Sequence, residues 1–193
     1  MLPPGKGRIY WHVLLRDHPQ VRAIASEAHR RLAGIGGLDP VPYEWLHLTT
    51  LVVGLTDEVA EEQLTALIAE ARKRLADVQP ITVTLGRVLY HPEAIALAAH
   101  PAEALVPMLN AVRAATSDAV GHDGALDTNP WIPHVTVAYS SAEQPAEPVI
   151  AALGRHLPDC EVTIDHISLV IQDGPEYLWD WRPIVRLSFS APA

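Results

Sequence analysis

The chain has 193 residues, 49% of them apolar and 19% charged, which is enough apolar matter for a core and excludes a disordered polyampholyte. Its formal net charge is −9, with lysine only at Lys6 and Lys73, so the basic face through which proteins grip long RNA or DNA is missing. Lone Cys160 excludes an internal disulfide and a cysteine-based zinc cluster, and no apolar run approaches the ~18 residues of a bilayer span.

In chain order, Arg8–Leu15 is rich in aromatic and β-branched residues and reads as a strand. His18–Leu32 carries apolar residues at helical spacing (Val21, Ile24, Ala25, Ala28, Leu32) and ends at a Gly-Ile-Gly-Gly stop. Trp45–Val53 is the next expected strand, closed by Gly54. Thr56 or Asp57 can cap a helix running through Ala76. Pro80–Tyr90 and Ala94–Ala99 read as a hairpin, Pro101–Asp118 as a helix and Gly121–Asn129 as a polar loop. Trp131–Tyr139 is a strand and Glu143–His156 a helix. Cys160–Gln172 and Trp179–Ser190 are two strands joined by a DGPE turn. Strands backed by helices in each half predict an α+β fold.

Two stretches echo one another. "EWLHLTTLVVG" and "PWIPHVTVAYS" each place a His two residues before a Thr inside an apolar strand, with a Trp just upstream. Residues two apart on a strand share a face. His47 and Thr49 therefore point one way, as do His134 and Thr136, while Leu46, Leu48, Val135 and Val137 point into a core. Brought together, the strands would supply two imidazoles and two hydroxyls to one cavity. Phosphodiester cleavage asks for that set. One histidine, with a pKa near 6.5, deprotonates the attacking hydroxyl, and the other protonates the departing oxygen. Threonine hydroxyls donate to the non-bridging oxygens where charge accumulates. The residues alone equally allow two core histidines satisfied by neighbouring hydroxyls.

The twin motifs, their spacing and the order of strands resemble the 2H phosphoesterase superfamily, which includes 2′-5′ RNA ligase-like proteins and 2′,3′-cyclic phosphodiesterases. The likeness runs from Arg8 to about Phe189. It implies two pseudo-symmetric β-α lobes, interleaved in one domain, with antiparallel-rich sheets flanking a central cleft. It also implies His47, Thr49, His134 and Thr136 as the catalytic set. Members acting on RNA often carry a basic residue two places after the first Thr and three after the second. Here those places hold Leu51 and Tyr139, and Thr50 stands where an apolar residue is usual. The missing cations count against an RNA-end substrate.

Tyr10 and His12 share a face of the first strand, where Tyr10 could stack on a base and His12 reach a phosphate. Tyr139 could line the cleft. Trp45 and Trp131 read as core or cleft-wall aromatics, His91, His100, His122 and His156 as solvated, and His166 as a satisfied buried histidine. No His-Glu-x-x-His occurs, and Asp123 and Asp127 lack calcium-loop spacing, so neither metal nor cofactor is expected. The expectation is a metal-independent phosphoesterase opening a 2′,3′-cyclic phosphate or a related nucleotide or RNA-end phosphodiester. A phosphate-binding module without turnover and a 2′-5′ RNA ligase are the alternatives. The chain is expected to be monomeric and cytoplasmic, without signal peptide, membrane or long nucleic acid partner. Glu44, three residues before His47, could make His47 the acid if it approached the ring, or could point to solvent.

Overall fold

The computed structural model describes residues 7–126, 128, 130–173 and 181–190. In chain order its elements are β1 (Arg8–Leu14), α1 (Pro19–Leu32), β2 (Leu38–Pro40), β3 (His47–Leu55), α2 (Glu61–Leu75), β4 (Ile81–His91) and β5 (Ala94–His100). There follow α3 (Val106–Val120), β6 (His134–Ser140), α4 (Glu147–Leu153), β7 (His156–Ile164), β8 (His166–Gln172) and β9 (Trp181–Ser188).

The strands make one antiparallel sheet in the order β7-β4-β5-β6-β3-β1-β8-β9, with β2 on the side of β6. At its centre β6 and β3 are joined by a single residue pair, Leu48 opposite Val135. Outward from that seam the two halves repeat one pattern, β3-β1-β8-β9 and β6-β5-β4-β7. These are the two expected pseudo-symmetric lobes, fused along one seam. The helices are exchanged between them. Helix α1 leaves β1 but packs on β6, β7 and α4, whereas α3 leaves β5 but packs on β3 and α2.

Local chemistry accounts for the main elements. Helix α1 starts with proline in its first turn, buries Val21, Ile24, Ala25, Ala28 and Leu32 along one stripe, and carries Arg30 and Arg31 in its last turn, cations that favour the negative end of the helix dipole. On β1, Ile9, Trp11 and Val13 are buried in the core; on β3 and β6, Leu48 and Val135 are buried on the face away from their histidines.

Several boundaries differ from the expectation. The stretch expected as one strand from Cys160 is two, β7 and β8, which turn at Asp165 and belong to opposite lobes. The alternation of buried and exposed residues on β7 leads without a Gly or Pro into the fully buried β8, so the pattern conceals the turn. Helix α4 is shorter than expected and stops at Gly154, with φ +69°, freeing His156 to begin β7. Helix α2 begins at Glu61, after Thr56 and Asp57, because the Gln63 side chain accepts from the Ala60 N–H at 3.0 Å. No periodicity announces the short edge strand β2. The DGPE turn and the start of the last expected strand lie outside the described residues, apart from Asp173.

Both motif strands carry a bulge one residue after the threonine. The pairing of β1 with β3 passes from Thr49 to Leu51, and that of β5 with β6 from Thr136 to Ala138. Thr50 and Val137 are the extra residues, and each shifts the alternation of the residues after it. Leu51, which stands where the resemblance implies a basic residue in members acting on RNA, is fully buried.

Beyond Leu48, β3 is bridged by the loop before β6. Val52 and Ala125 exchange two backbone hydrogen bonds of 2.8 Å. Gly124 makes that approach possible: its φ is +70°, and a Cβ there would lie 2.6 Å from the Val52 carbonyl oxygen. Gly121, at φ +92°, has nothing within 4 Å of such a Cβ. Gly121→Ala should therefore cost only the left-handed conformation, roughly 1 kcal/mol. Gly124→Ala should cost more than that, about 2–3 kcal/mol. Urea unfolding of the two variants side by side checks the order; equal losses would contradict the close approach.

Candidate active site

The two motif histidines are held in the same way. His47 Nδ1 lies 2.8 Å from the Trp45 carbonyl oxygen and His134 Nδ1 2.7 Å from that of Ile132. A carbonyl only accepts, so each Nδ1 carries the proton and each Nε2 is left for the cleft. Each ring is thus tied to the residue two before it, where the chain enters the strand. No side-chain pattern announces such a backbone acceptor.

Leu48 opposite Val135 sets the register across the seam. In it His47 faces Thr136 and Thr49 faces His134, so the imidazoles are diagonal neighbours. Diagonal positions stand ~7–8 Å apart in a regular ladder, and the splayed seam opens that interval into a cleft. The cleft holds about 670 Å³ and is lined by His47, Thr49, His134 and Thr136 together. Neither threonine hydroxyl makes a hydrogen bond within the described residues, and both are available to a ligand. Across the gap, Trp131 Nε1 donates to the Thr49 carbonyl oxygen at 3.3 Å, so the Trp upstream of the second motif clasps the first.

Tyr10, His12 and Tyr139 also line this cleft. Tyr139 lies an odd number of residues from Thr136, and the Val137 bulge is what turns it inward. Tyr10 is buried and stacks on His12, with ring centres 4.8 Å apart. His12 in turn stands 4.5 Å from the His47 ring. Sequence reasoning missed Trp181, edge-on to His47 at 4.5 Å, and the charged lining residues Arg8, Glu58 and Glu93. Nothing in the sequence ties Trp181, at the far end of the chain, to a motif strand. His91, His100, His122 and His156 are exposed, and His166 is buried with Nδ1 2.5 Å from Asp165 Oδ1. Among the described residues no group of three His, Cys, Asp or Glu side chains is placed to hold a metal ion, and no helix is long and apolar enough to cross a membrane.

The sequence profile of the 2′-5′ RNA ligase superfamily matches residues 17–176. The chain belongs to that superfamily. The 2H phosphoesterase likeness of its motifs is thereby established. The RNA 2′,3′-cyclic phosphodiesterase of Thermus thermophilus is 27% identical over 150 residues, 74% of this chain and 73% of that protein. TT0787 of Thermus thermophilus superposes with a TM-score of 0.73 at 23% identity, covering 94% of this chain and 97% of that one. E. coli LigT complexed with 3′-AMP does so with a TM-score of 0.70 at 16% identity, covering 97% and 99%. The last two likenesses concern the fold.

Within this superfamily cleft the half-buried position of His47 sets its charge. Burial is the largest influence and, with His134 nearby, lowers its pKa to about 4, against the opposing pull of the Trp45 carbonyl. Burial and His47 likewise push His12 well below the usual value, against a weaker pull from the Trp11 backbone. Glu44 is exposed and does not offset this, so the arrangement that would have charged His47 is not the one found. Acid should therefore weaken the fold. Below about pH 6.5 the unfolded chain takes up protons at both positions that the folded chain refuses until lower pH. The stabilising contribution is whole above pH 6.5 and falls toward pH 4. Urea midpoints at pH 7 and pH 5 should differ in the wild type and differ less in His12→Phe/His47→Phe.

Proposed function

We propose that the chain is a metal-independent phosphoesterase that opens a 2′,3′-cyclic phosphate or a related small nucleotide phosphodiester. The observation that carries this reading is the pair of Nδ1-anchored imidazoles, one from each lobe, beside two unengaged threonine hydroxyls in one cleft. The superfamily and the activity named for the Thermus thermophilus relative point the same way.

In the proposed reaction the phosphodiester lies between the lobes. Neutral His47 takes a proton from water through Nε2 as the water oxygen bonds to phosphorus. The bond from phosphorus to one ribose oxygen breaks, and His134 gives that oxygen its proton. One proton enters at His47 and one leaves from His134, so the sum is hydrolysis to a phosphomonoester. Thr49 and Thr136 donate to the non-bridging oxygens. His47 is assigned as base because its dry surroundings keep it unprotonated, which leaves His134 as acid.

The substrate is proposed to be small. Leu51 is buried and Tyr139 supplies no charge, while Glu58 and Glu93 bring carboxylates to the cleft, an unfavourable setting for the successive phosphates of an RNA chain. Tyr10, His12 and Tyr139 are the proposed substrate contacts. The protein is proposed to act as a single-domain monomer.

His47→Ala and His134→Ala should each slow turnover of a 2′,3′-cyclic nucleotide by about 10²–10⁴-fold, with EDTA present throughout. Thr49→Ala or Thr136→Ala should cost less, each removing one donor of several. A substrate whose leaving group needs no proton should largely rescue His134→Ala and leave His47→Ala impaired. The reverse pattern would exchange the roles, and full activity in both histidine variants would reject the pair. Saturable binding without turnover in the wild type would leave a binding module.

A further inference from the structure

The third histidine of the cleft carries neither proton in that reaction. His12 is 2% exposed, its Nδ1 makes no well-formed hydrogen bond, and it lies directly opposite Thr49 on the neighbouring strand. Its ring is packed between Tyr10 at 4.8 Å and His47 at 4.5 Å, with Trp181 edge-on at 5.4 Å. Leaving a polar nitrogen buried and unsatisfied costs about 1–3 kcal/mol, and a phenylalanine would fill the space without that cost.

We propose that His12 is a positioning residue whose neutral ring walls water away from one face of His47 and so keeps His47 free to accept a proton. The inference rests on the reading of His47 as the base. Together with Trp181, His12 encloses the His47 ring between β1 and β9. The titratable groups facing His47 are His12 on β1, with Tyr10 behind it, and His134 on β6. The other charged groups of the cleft are Arg8, four residues along β1 from His12, Glu58 beyond the end of β3, and Glu93 in the β4–β5 turn. Among the described residues none of these carboxylates bonds to either ring. Burial lowers the pKa of both rings; His47 adds to the effect on His12, and His134 adds to it on His47. Two imidazoles 4.5 Å apart cannot both be charged without a counter-ion, so each disfavours the proton of the other.

The wall and the charge of His12 can be separated by substitution. His12→Phe keeps a dry aromatic wall. His12→Ala admits water. His12→Glu sets a carboxylate against His47. In the free protein, the His47 ring resonances followed by NMR should titrate near the wild-type midpoint in His12→Phe. They should move upward by about one pH unit in His12→Ala and further in His12→Glu, since returning a buried group to water restores its ordinary value. The acidic limb of kcat/KM on a 2′,3′-cyclic nucleotide should move by the same amounts. A His47 midpoint unmoved in His12→Ala, with that variant folded by circular dichroism, would overturn the proposal. So would an upward shift in His12→Phe as large as that in His12→Ala. The NMR titration needs no substrate. A shifted midpoint in a protein without turnover would thus sink the proposed reaction and leave the role of His12 standing.

Discussion

The structure depends on how little joins its two lobes. In the sheet as a whole, neighbouring strands are paired over most of their length, but β3 and β6 share only Leu48 opposite Val135. A full ladder there would close the sheet along the line where the cleft now opens. No pairing at all would leave the separation of the strands undefined. One buried apolar pair, with the Trp131 clasp on Thr49 and the Ala125 bridge on Val52, fixes a register while letting the strands part. The exchanged helices α1 and α3 then brace each lobe with a segment from the connection of the other.

The same seam explains the chemistry of the side chains. Strand alternation puts Leu48 and Val135 into the core and their flanking His and Thr residues into the cleft, so packing and the proposed catalysis hang on the same pleat. A slip of one residue would exchange the two sets. The bulges at Thr50 and Val137 end the strict alternation just past each motif, which confines the inward polar set to two residues per strand before Val52 and Tyr139 take over. Burial behind His47 comes from Trp181 and His12 rather than from a carboxylate. In the proposed reaction this leaves His47 unprotonated near neutral pH and ready to accept a proton, though its lowered pKa also makes it a weaker base.

Much of this could be read in the sequence. The faces of β3 and β6 that carry the His and Thr residues and the α+β pattern follow from periods of two and of 3.6, whereas the interleaved lobes are implied by the family resemblance. The features that could not be read depend on contacts between distant segments or on backbone acceptors. The carbonyls that anchor Nδ1 of His47 and His134 are chemically like every other carbonyl in the chain. The division of the expected strand into β7 and β8 at Asp165 carries no Gly or Pro signal. Trp181 is brought to His47 by β8 and β9, more than a hundred residues later in the chain. The effect of Glu44 was legible only as two alternatives, and its exposure decided between them.

The central claim is that two imidazoles from opposite lobes share one proton-transfer step as base and acid. The pH dependence of kcat/KM on a 2′,3′-cyclic nucleotide, measured in EDTA for the wild type and for each histidine variant, tests it most directly. The predicted result is a bell for the wild type, loss of the acidic limb in His47→Ala and loss of the basic limb in His134→Ala. A wild-type profile without a bell, or two variants that each keep both limbs, would contradict it.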